Sequence, residues 1–360
     1  MLTIRRNIVI IVNRCCKTVK GNKKVDVSKQ LLNYISGITG QNDAVTLIAA
    51  AVMLIFGFAM LIKGADFFVD GASKAAAKMR IPLIVIGLTI VAFGTSAPEA
   101  AISINSAVQG NAGISVGNVI GSNIMNVLLI LGISALFASL PVKKATFRYE
   151  IPFVIFITVI LGIMGTLGGN IDKLDAILLL VLFVLFFAYL ILLSKKGDGT
   201  ADDVPTLTEK DTVPKMILFI LIGLAAIVLG SDFTVTGATA IAQAFRVDDR
   251  IIGLTIVAFG TSLPELVTSV TAARKNQTDI AIGNIIGSNI FNILLVIGLA
   301  GVVSPIPIGF SDSFLIDSAI AAAAALLLWL LVFKNKKLSK AGGAVMLGCY
   351  IVYFVYLILN

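Results

Sequence analysis

The chain has 360 residues, 58% hydrophobic and 13% charged, with a mean hydropathy of +1.01. That balance excludes a soluble domain, whose core cannot use so much apolar side chain, and places the chain in a bilayer. The net charge of +8 is distributed by a membrane rule rather than as a nucleic-acid footprint, and the absence of histidine removes His-based zinc sites and a His proton relay.

Residues 1–43 form a basic extension carrying Arg5, Arg6, Arg14, Lys17, Lys20, Lys23, Lys24 and Lys29. Ile8–Val12 is too short to span, and no clear signal-peptide cleavage pattern is present. The extension is expected to be poorly ordered or interfacial. Cys15, Cys16 and Cys349 show no metal-ligand spacing and no disulfide framework.

From residue 44 onward the hydropathy predicts ten spans, over 44–72, 82–108, 113–139, 148–167, 174–194, 214–240, 250–272, 279–303, 312–333 and 341–358. Each is long enough, at ~20 residues for a hydrocarbon core of ~30 Å, to cross as a helix. Strict alternation is absent, which argues against a barrel. The expected fold is an all-α membrane protein of ten transmembrane helices in two inverted five-helix repeats.

Two observations carry the inversion. Gly64 to Gly132 aligns without a gap onto Gly230 to Gly298 at a constant offset of 166, with about half of the positions identical. Five spans per repeat is odd, so the second copy enters the membrane from the other side. The loops agree: lysine and arginine gather between spans 1–2, 3–4, 5–6, 7–8 and 9–10, from Lys74 to Lys340, whereas the opposite loops hold only Lys173, Arg246 and Arg250. By the positive-inside rule the first set is cytoplasmic. The expected organisation is a first repeat over 44–194 with its motif at 87–132, a cytoplasmic linker over 195–213, and a second repeat over 214–360 with its motif at 253–298.

The chemistry lies in the doubled motif. Gly87-Leu-Thr-Ile-Val-Ala-Phe-Gly-Thr-Ser-Ala-Pro-Glu99 returns as Gly253-Leu-Thr-Ile-Val-Ala-Phe-Gly-Thr-Ser-Leu-Pro-Glu265. Each copy is followed by a Gly-Ser-Asn-Ile-x-Asn run ending at Asn126 or Asn292. Pro98 and Pro264 interrupt their helices, so carbonyls around Ala92–Thr95 and Ala258–Thr261 are expected to lose ladder partners, which is tolerated at membrane depth only beside a buried site or watery cavity. Ser122 and Asn126, and likewise Ser288 and Asn292, are four apart on one helix face.

The inventory is nearly all oxygen: the carboxylates of Glu99 and Glu265, the hydroxyls of Thr95, Ser96, Thr261 and Ser262, then Ser122, Ser288, Asn126, Asn292 and the freed carbonyls. Hard cations want such a set, and soft metals find neither thiolate nor imidazole. Two glutamates balance one Ca²⁺ or two Na⁺. A single proline in a membrane helix is usually a tolerated kink and glycine faces usually serve packing. A mid-span glutamate is too costly for that account, and two matched, inverted copies make it weaker still. Gly117, Gly121, Gly283 and Gly287 are expected to let helices approach closely, Asp66 and Asp232 to serve helix ends, and Lys63 and Asp70 to snorkel or pair near an interface.

At these residues the chain resembles the cation/Ca²⁺ exchanger superfamily, and within it the Na⁺/Ca²⁺ exchanger branch. Gly94-Thr-Ser-Ala-Pro-Glu99 with Gly121-Ser-Asn-Ile-Met-Asn126, and Gly260-Thr-Ser-Leu-Pro-Glu265 with Gly287-Ser-Asn-Ile-Phe-Asn292, match its two alpha repeats, and the likeness covers nearly all of 44–360. The resemblance implies ion ligands at Glu99, Glu265, Thr95, Ser96, Thr261, Ser262, Ser122, Asn126, Ser288 and Asn292, and at the carbonyls of Ala92 and Ala258. It also implies that spans 1 and 6 slide across a core of the other eight. Some relatives, the K⁺-dependent ones among them, carry Asp where Asn292 stands here, which argues against K⁺ co-transport.

The expected function is a secondary antiporter exchanging Na⁺ for Ca²⁺ by alternating access, in a multi-pass prokaryotic plasma-membrane protein. The expected substrates are Na⁺ and Ca²⁺, with the lipid bilayer as surroundings and no cofactor, nucleic acid or obligate protein partner. The alternative is H⁺/Ca²⁺ exchange carried by the glutamates; a cation channel is disfavoured by the inverted repeat. An enzyme is not expected, because no activated nucleophile or aspartate pair is apparent.

Overall fold

The computed structural model describes residues 28–30, 32, 43–195, 207–208, 211–247, 256 and 258–359. Apart from the helical residues 28–30 and 32, twelve helical segments occur among them: α1 (Asp43–Met79), α2 (Leu83–Thr95), α3 (Ala97–Val108), α4 (Gly113–Phe137), α5 (Thr146–Gly168), α6 (Lys173–Lys195), α7 (Val213–Ala244), α8 (Ala258–Thr261), α9 (Leu263–Arg274), α10 (Thr278–Val303), α11 (Ser313–Phe333) and α12 (Lys340–Leu359). Eight are long and apolar enough to cross a membrane, and a ninth crossing arises if α2 and α3, bent by 52° at their junction, form one span. The expected seventh span, 250–272, begins in residues outside the described ones, and α8 and α9 are its described remainder. Residues 1–27 and most of the linker also lie outside; Ser28 is buried and shares a 2.5 Å hydrogen bond with Thr236 of α7.

Two helices outrun their expected limits, since α1 continues past residue 72 to Met79 and α7 past 240 to Ala244. Both end in left-handed turns that the repeat shares. Arg80 at φ 55° answers Arg246 at 58°, and Gly110 at 79° answers Asn276 at 58°. At each end the amide that follows the left-handed residue returns to a carbonyl five residues back, as from Ile81 to Ala76 at 3.0 Å and from Val247 to Ala242 at 3.0 Å. This closure satisfies the last carbonyls of the helix.

Two short antiparallel ribbons show how the halves are related. β1 (Leu140–Pro141), just before α5, pairs with β4 (Lys337–Leu338), just after α11. β2 (Asn170–Ile171), just after α5, pairs with β3 (Ile308–Gly309), just before α11. Helices α5 and α11 are counterparts in the repeat, and each ribbon ties the start of one to the end of the other. Counterpart helices therefore run antiparallel. α4 and α10 are the most buried of the long helices.

Helices α1 and α7 pack along their length on a seam of glycines spaced by seven: Gly57, Gly64 and Gly71 against Gly223, Gly230 and Gly237. A Cβ at Gly223 would lie 2.5 Å from the Phe68 amide nitrogen, and one at Gly230 would lie 2.8 Å from the Gly57 carbonyl. Backbone meets backbone, which only residues without a side chain permit.

Charged groups tie this pair to the rest of the molecule. Lys275, in the turn between α9 and α10, reaches Asp70 at 2.8 Å and Asp66 at 3.2 Å on α1, so Asp66 and Asp70 both pair. Lys74 reaches Asp211 of the linker at 2.7 Å, and the Thr208 amide and hydroxyl donate to the other Asp211 oxygen at 2.9 and 2.7 Å. The Lys74 ammonium first, then the Thr208 donors, hold the Asp211 carboxyl well below the usual carboxylate range. A depressed value means that the tie contributes stability above the unfolded pKa of about 4 and loses it as pH falls toward the folded value. Melting temperatures of the parent and Asp211→Asn should thus differ at neutral pH and converge only in acid. A difference that vanished near pH 7 would contradict the ion pair.

Candidate cation-binding site

The two breaks place the two glutamates. Both fall at a serine, Ser96 with φ −81° and ψ 5° and Ser262 with φ −91° and ψ 4°, and a new helix starts at the next residue. Pro98 and Pro264 therefore stand in the first turn of α3 and α9, where a missing N–H costs nothing, rather than inside one long helix. Glu99 and Glu265 follow at the third position, where the positive end of the helix dipole favours a carboxylate. Each glutamate is 1% exposed.

The halves then cross. The Ser96 hydroxyl donates to Glu265 Oε1 at 2.9 Å, and the Ser262 hydroxyl to Glu99 Oε1 at 3.4 Å. The second oxygen of each carboxylate is buried without a partner, as are Ser288 Oγ and the Oδ1 atoms of Asn126 and Asn292. Five orphaned oxygens thus lie on residues singled out by the doubled motif. Asn126 opens a π-helical stretch, Asn126–Ile130, and Asn292 lies in another, Phe291–Ile297; such wide turns recur at functional sites. Gly283 and Gly287 do bring α10 onto α2, with added Cβ atoms at 2.9 Å from the Ile84 carbonyl and from Leu88 Cα. For Gly117 and Gly121 no such backbone approach occurs among the described residues.

The remaining candidates are placed less uniformly. Ser122 is buried and Thr261 half-buried. Thr95 donates its hydroxyl to Asn284 Oδ1 at 2.9 Å, with the Val91 and Ala92 carbonyls at 3.1 and 3.3 Å also in reach. The carbonyls are not simply freed. That of Ala92 accepts the Ser96 amide at 3.0 Å, and that of Gly260 accepts the Ser231 hydroxyl at 2.7 Å. Near Ala258 the Ser262 amide turns instead to the Phe259 carbonyl at 3.2 Å, so the two breaks differ. The physical reason is that helix ends recruit whatever donor is close, and a carbonyl has two lone pairs.

Four amides and two serines join the cluster that the motif reading passed over. Asn118 donates to Ser103 Oγ at 3.0 Å and Asn284 to Ser269 Oγ at 2.9 Å, each also approaching the backbone carbonyl of its own glutamate at 3.4 Å. Asn123 and Asn289 bridge the halves. All recur at the 166 offset as polar residues in apolar spans, a signal the sequence does contain. Glu150 is another buried acid; Tyr189 donates to it at 2.5 Å and so links α5 to α6. Beside that pair a lipid-facing groove of 460 Å³, lined by Phe153, Phe156, Leu182 and Phe186, holds no part of the cluster.

Among the described residues no lysine or arginine pairs with Glu99 or Glu265. Two carboxylates in so buried a place are costly unless cations or protons compensate them. Among the described residues no cluster of three or more His, Cys, Asp or Glu exists that could hold a metal ion. A cation here must draw on hydroxyl, amide and carbonyl oxygen, as Ca²⁺ and Na⁺ do.

Long apolar helices in two antiparallel repeats around a buried polar cluster define a multi-pass membrane protein of the secondary-transporter class. The chain belongs to the sodium/calcium exchanger protein family, which matches at residues 49–192 and again at 215–359. It is 38% identical over 318 residues to the candidate antiporter CaxA of Alkalimonas amylolytica, covering 85% of this chain and 98% of that one. It is 35% identical over 342 residues to the sodium/calcium exchanger MaX1 of Methanosarcina acetivorans, covering 85% and 97%. Among solved structures, the sodium-calcium exchanger NCX_Mj soaked with 10 mM Na⁺ superposes with a TM-score of 0.74 at 31% identity, covering 86% of this chain and 99% of that one.

Proposed function

We propose that this antiporter exchanges Na⁺ for Ca²⁺ across a prokaryotic plasma membrane by alternating access. The observation that carries the reading is the set of orphaned buried oxygens on Glu99, Glu265, Ser288, Asn126 and Asn292, with no basic partner for either acid among the described residues. The proposed ligands are those oxygens with Thr95, Ser96, Thr261, Ser262, Ser122 and the carbonyls of Ala92 and Ala258. Two carboxylates neutralise one Ca²⁺ or two Na⁺, so the ions compete for one place. The ten spans divide as 44–194 and 214–360 about a cytoplasmic linker, with the basic loops inside. The tight α1–α7 pair then shifts against the other helices to expose the site to alternate faces. The names of MaX1 and NCX_Mj support the choice of ions.

The test is Ca²⁺ uptake into vesicles holding the purified protein, with Na⁺, H⁺ and K⁺ gradients imposed separately. Uptake driven by an outward Na⁺ gradient and indifferent to K⁺ is expected. Uptake driven by a pH gradient without Na⁺ would assign protons to Glu99 and Glu265 instead. Conductance without counter-transport would overturn exchange altogether.

A further inference from the structure

Four asparagines form one hydrogen-bonded chain between α4 and α10, running Asn126–Asn289–Asn123–Asn292. The Asn289 amide nitrogen donates to the Asn123 backbone carbonyl at 3.3 Å, and the Asn123 amide nitrogen donates to the Asn289 backbone carbonyl at 3.2 Å. A backbone carbonyl only accepts, so it fixes which end of each amide faces it. Asn289 must then turn Oδ1 the other way, where it accepts from Asn126 Nδ2 at 3.0 Å. Asn123 Oδ1 likewise accepts from Asn292 Nδ2 at 3.1 Å. Each inner amide is thereby fixed in turn, because its reverse orientation would set oxygen against oxygen. What remains of Asn126 and Asn292 is one carbonyl oxygen each, buried and without a partner.

From this chain of constraints we infer that Asn123 and Asn289 are positioning residues of the cation site: each locks the side-chain amide of the opposite half's asparagine so that its oxygen, and never its N–H₂, is offered to the ion. The inference rests on the reading of the Glu99/Glu265 cluster as that site. An amide has one end that attracts a cation and one that repels it, and the energy separating the two orientations in water is small. Inside the protein the orientation is set from outside the pocket, starting at two backbone carbonyls. The lock is reciprocal across the pseudo-two-fold: α10 orients the ligand on α4, and α4 orients the ligand on α10. Binding in one half thus depends on the register of the other.

A carboxylate has no wrong end, and this supplies the test. Ca²⁺ dissociation constants are measured on purified full-length protein for the parent, Asn289→Leu, Asn126→Asp and the double variant Asn126→Asp/Asn289→Leu, with Asn289→Ala in place of leucine if the larger residue prevents assembly. In the parent background the loss of Asn289 should weaken Ca²⁺ binding by about tenfold or more, the scale of one ligand bond to a charged group. In the Asn126→Asp background the same loss should cost less than about threefold, which is the coupling a double-mutant cycle isolates. Equal penalties in both backgrounds would reduce Asn289 to a packing role and overturn the lock, as would no penalty in either. The glutamates separate this outcome from the site itself: Ca²⁺ binding that survives Glu99→Gln would overturn the cation-site reading, whereas equal Asn289 penalties leave that reading standing.

Discussion

Glu99→Gln and Glu265→Gln should each reduce Na⁺-driven Ca²⁺ uptake to the level of protein-free vesicles, while the purified proteins remain folded. Glutamine keeps the shape and removes one negative charge. Near a cation one such charge is worth about 4 kcal/mol at a separation of about 4 Å and an effective dielectric constant of about 20. That is about three decades in binding constant. Stability without ion should hold or rise, because a buried charge with no basic partner costs free energy that glutamine does not. The two effects separate cleanly in a melting experiment. The parent should be stabilised by Ca²⁺ through mass action and the variants should not. A variant that still gains stability from Ca²⁺ and still carries flux would show that the ion binds elsewhere.

The second large effect is expected at the α1–α7 seam. Gly223→Ala should lower the melting temperature and suppress flux, because its Cβ would meet the Phe68 amide nitrogen at 2.5 Å and the Gly64 carbonyl at 2.7 Å. Both are backbone atoms, so the helices must separate rather than a side chain swing aside. Overpacking of this kind costs about 1–3 kcal/mol. Gly348→Ala is the matched control: it lies within α12 with nothing within 4 Å of an added Cβ. There the gain in helix propensity, about 1 kcal/mol, meets no clash. Melting curves in detergent and flux in vesicles report both. If Gly223→Ala melted and transported as Gly348→Ala does, the close seam would have no role in the working protein.

Much of this molecule is legible in its chain because a bilayer restricts what residues can do. Apolar runs of span length must be helices, so α1, α4, α5, α6, α7, α10, α11 and α12 stand close to where hydropathy puts them. Glu99 and Glu265 stood out because an acid within an apolar span is costly without a purpose. Less legible was the second layer. Asn123 and Asn289 read as two more polar residues on α4 and α10 until hydrogen bonds between the halves show what each is for. The bends lie beside Pro98 and Pro264, but their geometry is not that of a proline inside one long helix. Pro98 begins a helix after a bend at Ser96, and the Ala92 carbonyl keeps a donor.

The membrane class, the repeat and the oxygen chemistry are all present in the chain, since these follow from composition, from a constant offset and from the cost of placing an acid in an apolar span. Which oxygens remain unpartnered, and which amides bond to one another, follows from the packing of the two halves. Those outcomes depend on contacts between residues such as Ser96 and Glu265, or Asn126 and Asn289, far apart in the chain. Hydrogen-bond direction is settled where two helices meet, and no pattern along one stretch of sequence contains it.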